Sequence, residues 1–157
     1  MSHYGRAGRF APTWPLRYGK DDSLYPKDPR PVQRLKTFFT STWEHCTKRF
    51  GDYFYPVLFG DAKPDPEKLE TFHEALAWLN GFLEGDDFAV GSAITVADFV
   101  LIASVSSIIE AGIDFSKYPN VTAWAERCKL QMKGYESENG EGAKAFGGVA
   151  KSKLTAA

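Results

Sequence analysis

Apolar positions recur along most of the chain at steps of three and four, the spacing that lines one side of a helix. Val32, Leu35, Phe39, Trp43, Cys46, Phe50 and Tyr53 follow it, predicting one helix from about Arg30 to about Tyr55 with Pro29 or Pro31 in its first turn. Pro56 lacks an amide hydrogen and its ring clashes with the Asp52 carbonyl, so that helix is expected to end or kink there. Leu69, Phe72, Leu76, Leu79 and Leu83 predict a second helix, with Asp65 and Glu67 at its start and Gly85 as its stop. Val121, Trp124, Ala125, Cys128 and Met132 predict another over about Asn120–Met132, with Glu126, Arg127, Lys129 and Lys133 solvated. Glu136 to Glu141 reads as a short helix, Ala143 to Phe146 as a segment that packs back, and residues 147–157 as a frayed tail. No strand pattern and no internal repeat emerge.

Between the second helix and the Asn120 helix lies Gly91-Ser92-Ala93-Ile94-Thr95-Val96-Ala97-Asp98-Phe99. Thr95 suits an N-cap, and Asp98 three residues on can reach back to the Thr95 amide, a capping box. Ile94 before the cap and Phe99 at the fourth helical position are spaced for a hydrophobic staple. The helix they start, Val96 to about Ala111, is apolar nearly all round and is expected inside a bundle. It is too short, and too interrupted by Ser104, Ser106 and Ser107, to span a membrane. The role of this box is structural. Four long helices joined by short loops predict an all-α bundle around this central N-capped helix.

Charge and composition narrow the function. The formal net charge is −1, so no global field points to nucleic acid or to an acidic surface. Residues 1–20 carry Arg6, Arg9, Arg17 and Lys20 without an acid, are broken by Pro12 and Pro15, and read as an unstructured basic arm. They contain no apolar core of signal-peptide length, so the expected location is cytoplasmic. The two cysteines, Cys46 and Cys128, fall in predicted helices and are expected as free thiols.

Catalytic motifs are sparse. Glu70 and His73 have the spacing of one half of a carboxylate-bridged metal site, but the sequence holds no second copy, so no metal is expected. His45 and Cys46 are adjacent, hence about 100° apart on a helix, and cannot pair simply. No nucleophile elbow, phosphate-cradling glycine loop or Cys-x-x-Cys occurs. An aromatic cluster remains around Phe50, Tyr53, Tyr55 and Phe59, and its pattern fits both a ligand-pocket wall and plain core.

The segments YGKDDSLYP, FGDYFYPVLF, LNGFLEG, GSAITVADF and YPNVTAWAE give the chain a wider likeness. From about Tyr18 to Phe146 it resembles the C-terminal helical domain of arthropod cytosolic glutathione transferases of the delta or epsilon type. The domain so delimited is 21–146. The resemblance implies a hydrophobic-electrophile site on Phe50, Tyr53, Tyr55 and Phe59, with Phe146 from the C-terminal region. Thr47 stands where relatives usually carry Tyr, which implies a wider or more polar site. It further implies glutathione as co-substrate, no tightly bound cofactor, and a role in detoxification. The implied partners are small hydrophobic electrophiles, a thioredoxin-like domain and a second copy of the chain. In the family a thioredoxin-like domain precedes the bundle and carries the thiol-activating hydroxyl. Residues 1–20 do not resemble it, so no catalytic residue is assigned and a truncated transferase, inactive alone, is expected. A non-catalytic interaction or ligand-sequestering module is the alternative, and pairing with a separate thioredoxin-like chain is a third.

Overall fold

A computed structural model of the chain describes residue 24 and residues 29–37 and 44–156. Its helices are α1 (Pro29–Thr37), α2 (Glu44–Phe59), α3 (Pro66–Phe82), α4 (Val96–Glu110) and α5 (Pro119–Gln131). A π-helical turn (Glu136–Gly140) then runs into α6 (Glu141–Ala156). Among the described residues there is no strand, only an isolated bridge between Phe88 and Gly91. The all-α expectation is met.

Two predicted boundaries differ. Helix occupies both ends of the Arg30–Tyr55 stretch, as α1 and α2, while Phe39 and Trp43 lie outside the described residues. The basic-arm assignment of residues 1–20 lies outside them too. At its other end α2 does not stop at Pro56 but passes through it to Phe59. An interior proline costs about 3 kcal/mol. Val57 and Leu58 beyond it are both buried, and burial of such side chains is worth roughly 1.5–3 kcal/mol each. Packing therefore outweighs the local penalty. The Pro56 carbonyl accepts from the Gly60 and Ala62 amides at 3.0 and 3.1 Å.

The second difference is the C-terminus. Residues 147–156, expected to fray, form the greater part of α6, with Gly147 and Ala150 buried. A Cβ on Gly147 would lie 2.3 Å from the Glu110 Cβ and 2.6 Å from the Glu110 carbonyl carbon. The α4 and α6 backbones thus approach more closely there than any other residue permits. Along α6, Ala143, Gly147 and Ala150 repeat at four and three and make the small-residue stripe that this approach needs.

The core gathers around α4. Ala97, Leu101, Ile102, Val105 and Ile108 are buried, and Trp124 of α5 and Phe54 of α2 are fully enclosed. The helix is not buried all round, however: Phe99 is 43% exposed. Ala103 is exposed on the same side. Ile94 is half-buried against the core, while the Phe99 ring of the expected staple stands in solvent.

The capping box closes between Thr95 and Asp98. The Thr95 amide and hydroxyl both donate to Asp98 Oδ2, at 2.8 and 3.1 Å. Asp98 Oδ1 accepts from the Ala89 amide and from Trp124 Nε1, each at 2.8 Å. A wholly buried carboxylate thus carries four hydrogen bonds, which is how such a group is tolerated in a core. The Val96 amide, another first-turn donor, reaches the Leu24 carbonyl at 3.1 Å and ties the upstream chain to α4.

Other helix ends are closed across the fold. Asp65 caps α3 through the Glu67 and Lys68 amides. Asn80 of α3 accepts from the Asn120 and Val121 amides, capping α5 from a neighbouring helix. Arg34 of α1 pairs with Asp86 after α3. Gly85 and Gly112, at φ 79° and 84°, take the left-handed conformation that ends α3 and α4.

Candidate functional site

Three apolar stripes converge between α2, α3 and α4. Cys46, Thr47 and Phe50 come from α2, Phe72, Leu76 and Leu79 from α3, and Leu101, Ser104 and Ile108 from α4. The α3 and α4 sets repeat at three and four residues, and on α2 Cys46 and Thr47 stand four and three residues before Phe50, so each set faces the cleft from one side of its helix. The enclosed space is ≈ 20 Å³, about the room for one water. Phe72, Leu76, Leu79 and Leu101 form a buried floor. Cys46, Thr47, Phe50 and Ser104 form a half-buried rim.

Phe50 is the hub of this rim. Its ring centre lies 4.7 Å from Phe54 and 6.4 Å from Phe72 beneath it. Phe146 of α6 approaches it at 6.3 Å, and Tyr55 meets it edge-on at 6.1 Å. These separations fall in the range where aromatic pairs attract. Tyr55 and Phe59, 5.9 Å apart, continue outward and are 53% and 78% exposed. The site residues singled out in the sequence therefore divide. Phe50 and Thr47 line the cleft, Phe146 and Tyr55 flank it, and Phe59 projects from the end of α2. Tyr53 belongs to the core, its ring stacked on Phe72 at 6.2 Å and its phenol pushed up by burial.

Neither cysteine is a ready nucleophile. Cys46 donates weakly to the Ala75 carbonyl at 3.7 Å, and burial pushes its thiol up to about 11, against the opposing pull of Arg49. Cys128 is raised further by burial and by the Asp98 charge. His45 is engaged elsewhere, with Arg49 donating to its Nδ1 at 2.7 Å and the Trp78 ring 5.2 Å distant. His73 is half-buried, and its Nδ1 meets the Tyr118 hydroxyl at 2.9 Å. Among the described residues no three His, Cys, Asp or Glu side chains are grouped to hold a metal. No described helix is long and apolar enough to cross a membrane.

A larger cleft of ≈ 190 Å³ opens between α4, α5 and α6. Its ammonium groups are already paired, Lys129 with Glu126 and Lys144 with Glu136. The α2–α4 cleft is the one with an aromatic rim and an apolar floor, the surface that suits a flat apolar ligand.

Sequence reasoning missed the contribution of α4. Leu101, Ser104 and Ile108 face the cleft, and Ser104, a polar residue interrupting an apolar helix, was the signal that this face is not plain core.

Residues 35–131 match the glutathione S-transferase C-terminal domain family. Glutathione S-transferase D6 of Drosophila melanogaster is 36% identical over 124 residues, 76% of this chain and 56% of that protein. A delta-class glutathione transferase of Nilaparvata lugens superposes with a TM-score of 0.84 at 38% identity, covering 90% of this chain and 66% of that one. A Bombyx mori glutathione transferase gives 0.81 at 36%, covering 87% and 65%. The chain thus spans between about half and two thirds of the length of these relatives.

Proposed function

Because the chain belongs to the glutathione S-transferase family through its C-terminal helical domain, we propose that the Phe50 cleft is the apolar-electrophile half of a glutathione-conjugating site. The observation that carries this reading is the position of Phe50. It sits on the rim of an apolar cleft, and its ring is in contact with rings from both α2 and α6. A flat electrophile would be held by dispersion against Phe50 and Phe146, with its reacting carbon directed out of the bundle to meet the glutathione thiolate. The enclosed volume is small, so the ligand lies across the rim and does not enter the floor. Ser104 adds a hydroxyl group to the rim, while the Thr47 hydroxyl beside it donates to the Glu44 carbonyl at 3.3 Å. The reading covers the apolar side of the reaction, in a detoxifying role in the cytosol, and leaves this chain alone without conjugating activity.

The test is fluorescence displacement. Anilinonaphthalene sulfonate bound to the protein should be displaced by 1-chloro-2,4-dinitrobenzene, and Phe50→Ala should weaken both ligands together. If Phe50→Ala leaves both affinities unchanged, the electrophile binds elsewhere. If the two ligands bind competitively and this chain supports conjugation of glutathione by itself, the assignment of only one half of the site is wrong. A ligand-sequestering role would show as tight competitive binding without turnover even when glutathione and a separate thioredoxin-like chain are added.

A further inference from the structure

α6 is attached to α2 at two points. The Phe146 ring lies 6.3 Å from that of Phe50. Seven residues on, Lys153 Nζ donates to the Leu58 carbonyl at 3.0 Å and to Asp61 Oδ1 at 2.9 Å. Seven residues are two helical turns, so Phe146 and Lys153 share a side of α6, about 10 Å apart along its axis. Phe50 and Leu58 are eight residues apart on α2, about 12 Å. The two contacts fall in the same order and at matching intervals, so the helices run in the same sense along this seam.

That arrangement brings two helix C-termini to one end, where their partial negative charges oppose each other. Lys153 answers it. The Leu58 carbonyl belongs to the last turn of α2, whose carbonyls lack intrahelical partners. Asp61, at φ 49°, turns back in the left-handed conformation that Asp tolerates and offers its carboxylate to the same ammonium. One cation from the end of the chain thereby caps α2 and ties α6 to it, 95 residues away in sequence.

We propose that Lys153 is a positioning residue for the Phe50 cleft: by clamping α6 to the last turn of α2 it holds Phe146 against Phe50, and so sets the edge on which a flat apolar ligand rests. The proposal rests on the reading of the cleft given above. Lys153 does not itself line the cleft, so its effect passes through Phe146.

The experiment is a titration with anilinonaphthalene sulfonate, in competition with 1-chloro-2,4-dinitrobenzene, on the wild-type chain, Lys153→Met, Phe146→Ala and the double variant. Phe146→Ala and Lys153→Met should each weaken binding, Lys153→Met by about three- to tenfold, the scale of losing one exposed charge-assisted contact. The double variant should be no weaker than Phe146→Ala alone, and Lys153→Arg should restore most of the affinity. Asp61→Asn keeps the Leu58 bond and tests the clamp independently of Lys153→Met folding, with a smaller loss of the same sign. Additive losses in the double variant, or normal binding by Lys153→Met when Phe146→Ala is impaired, would overturn the clamp and leave the cleft standing. Normal binding by both Phe146→Ala and Phe50→Ala would overturn the cleft reading and the clamp with it.

Discussion

Trp124 Nε1 donates to Asp98 Oδ1 at 2.8 Å, joining the middle of α5 to the first turn of α4 inside the core. Both residues are fully buried, and the same carboxylate accepts three further bonds. Asp98→Asn would place an amide NH2 against donors that need an acceptor. We expect a loss of roughly 3–5 kcal/mol, the scale of breaking a buried charged network. Trp124→Phe keeps most of the ring but leaves Oδ1 one donor short, and should cost about 1–3 kcal/mol. Urea unfolding followed by far-ultraviolet circular dichroism measures both, and an Asp98→Asn variant as stable as wild type would contradict the account.

Phe50 and Tyr53 are three residues apart on α2, yet they predict opposite outcomes. Phe50→Ala should weaken apolar-ligand binding by about tenfold, the order of one lost aromatic contact surface. Tyr53→Phe should leave ligand affinity unchanged, because that ring is packed in the core against Phe72. Dye titration of the two variants side by side distinguishes a cleft wall from the packing behind it.

Gly147→Ala tests the α4–α6 approach. The added methyl would meet Glu110 backbone, which cannot rotate away as a side chain can. Overpacking of this kind costs about 1–3 kcal/mol. The expected signature is a lower melting temperature together with faster proteolysis within α6, and an unchanged cleavage pattern would mean that α6 docks by other means.

Cys46 carries a pH prediction. Its thiol is raised from the ordinary 9.0 to about 11, chiefly by burial. Near neutral pH that leaves about a hundredfold less thiolate than an unperturbed cysteine, and maleimide labelling should slow accordingly. The linkage has a definite sign. The folded state favours the protonated thiol, so its contribution to stability is complete below pH 9 and is lost as pH rises towards 11. A Cys46→Ser variant should lack this decline, and the difference between the two denaturation profiles across that range isolates it.

Much of this was legible in the chain itself. The three- and four-residue spacing of Leu69, Phe72, Leu76 and Leu79 places α3 and its buried face, and the Thr95–Asp98 spacing places the start of α4. These follow from backbone geometry and local hydrogen bonding, which a few neighbouring residues decide. The rim residues Thr47 and Phe50 came from the resemblance to a family, not from periodicity, which treats Phe50 and Tyr53 alike.

What only the tertiary structure decided concerns contacts between residues distant in sequence. Pro56 predicts an end or a kink by its own chemistry, and burial of Val57 and Leu58 carries α2 on to Phe59. Residues 147–157 read as a tail because small residues and lysines have little packing value alone. Residues 147–156 gain it as part of α6, since Gly147 admits the α4 backbone and Lys153 finds the Leu58 carbonyl of α2. Asp98 reads as one half of a local box, and only folding brings Ala89 and Trp124 to its other oxygen. Local pattern determines where helices start and which side is apolar. Which side meets which, and whether a local penalty is outweighed, depends on burial energies that exist only once the helices are assembled.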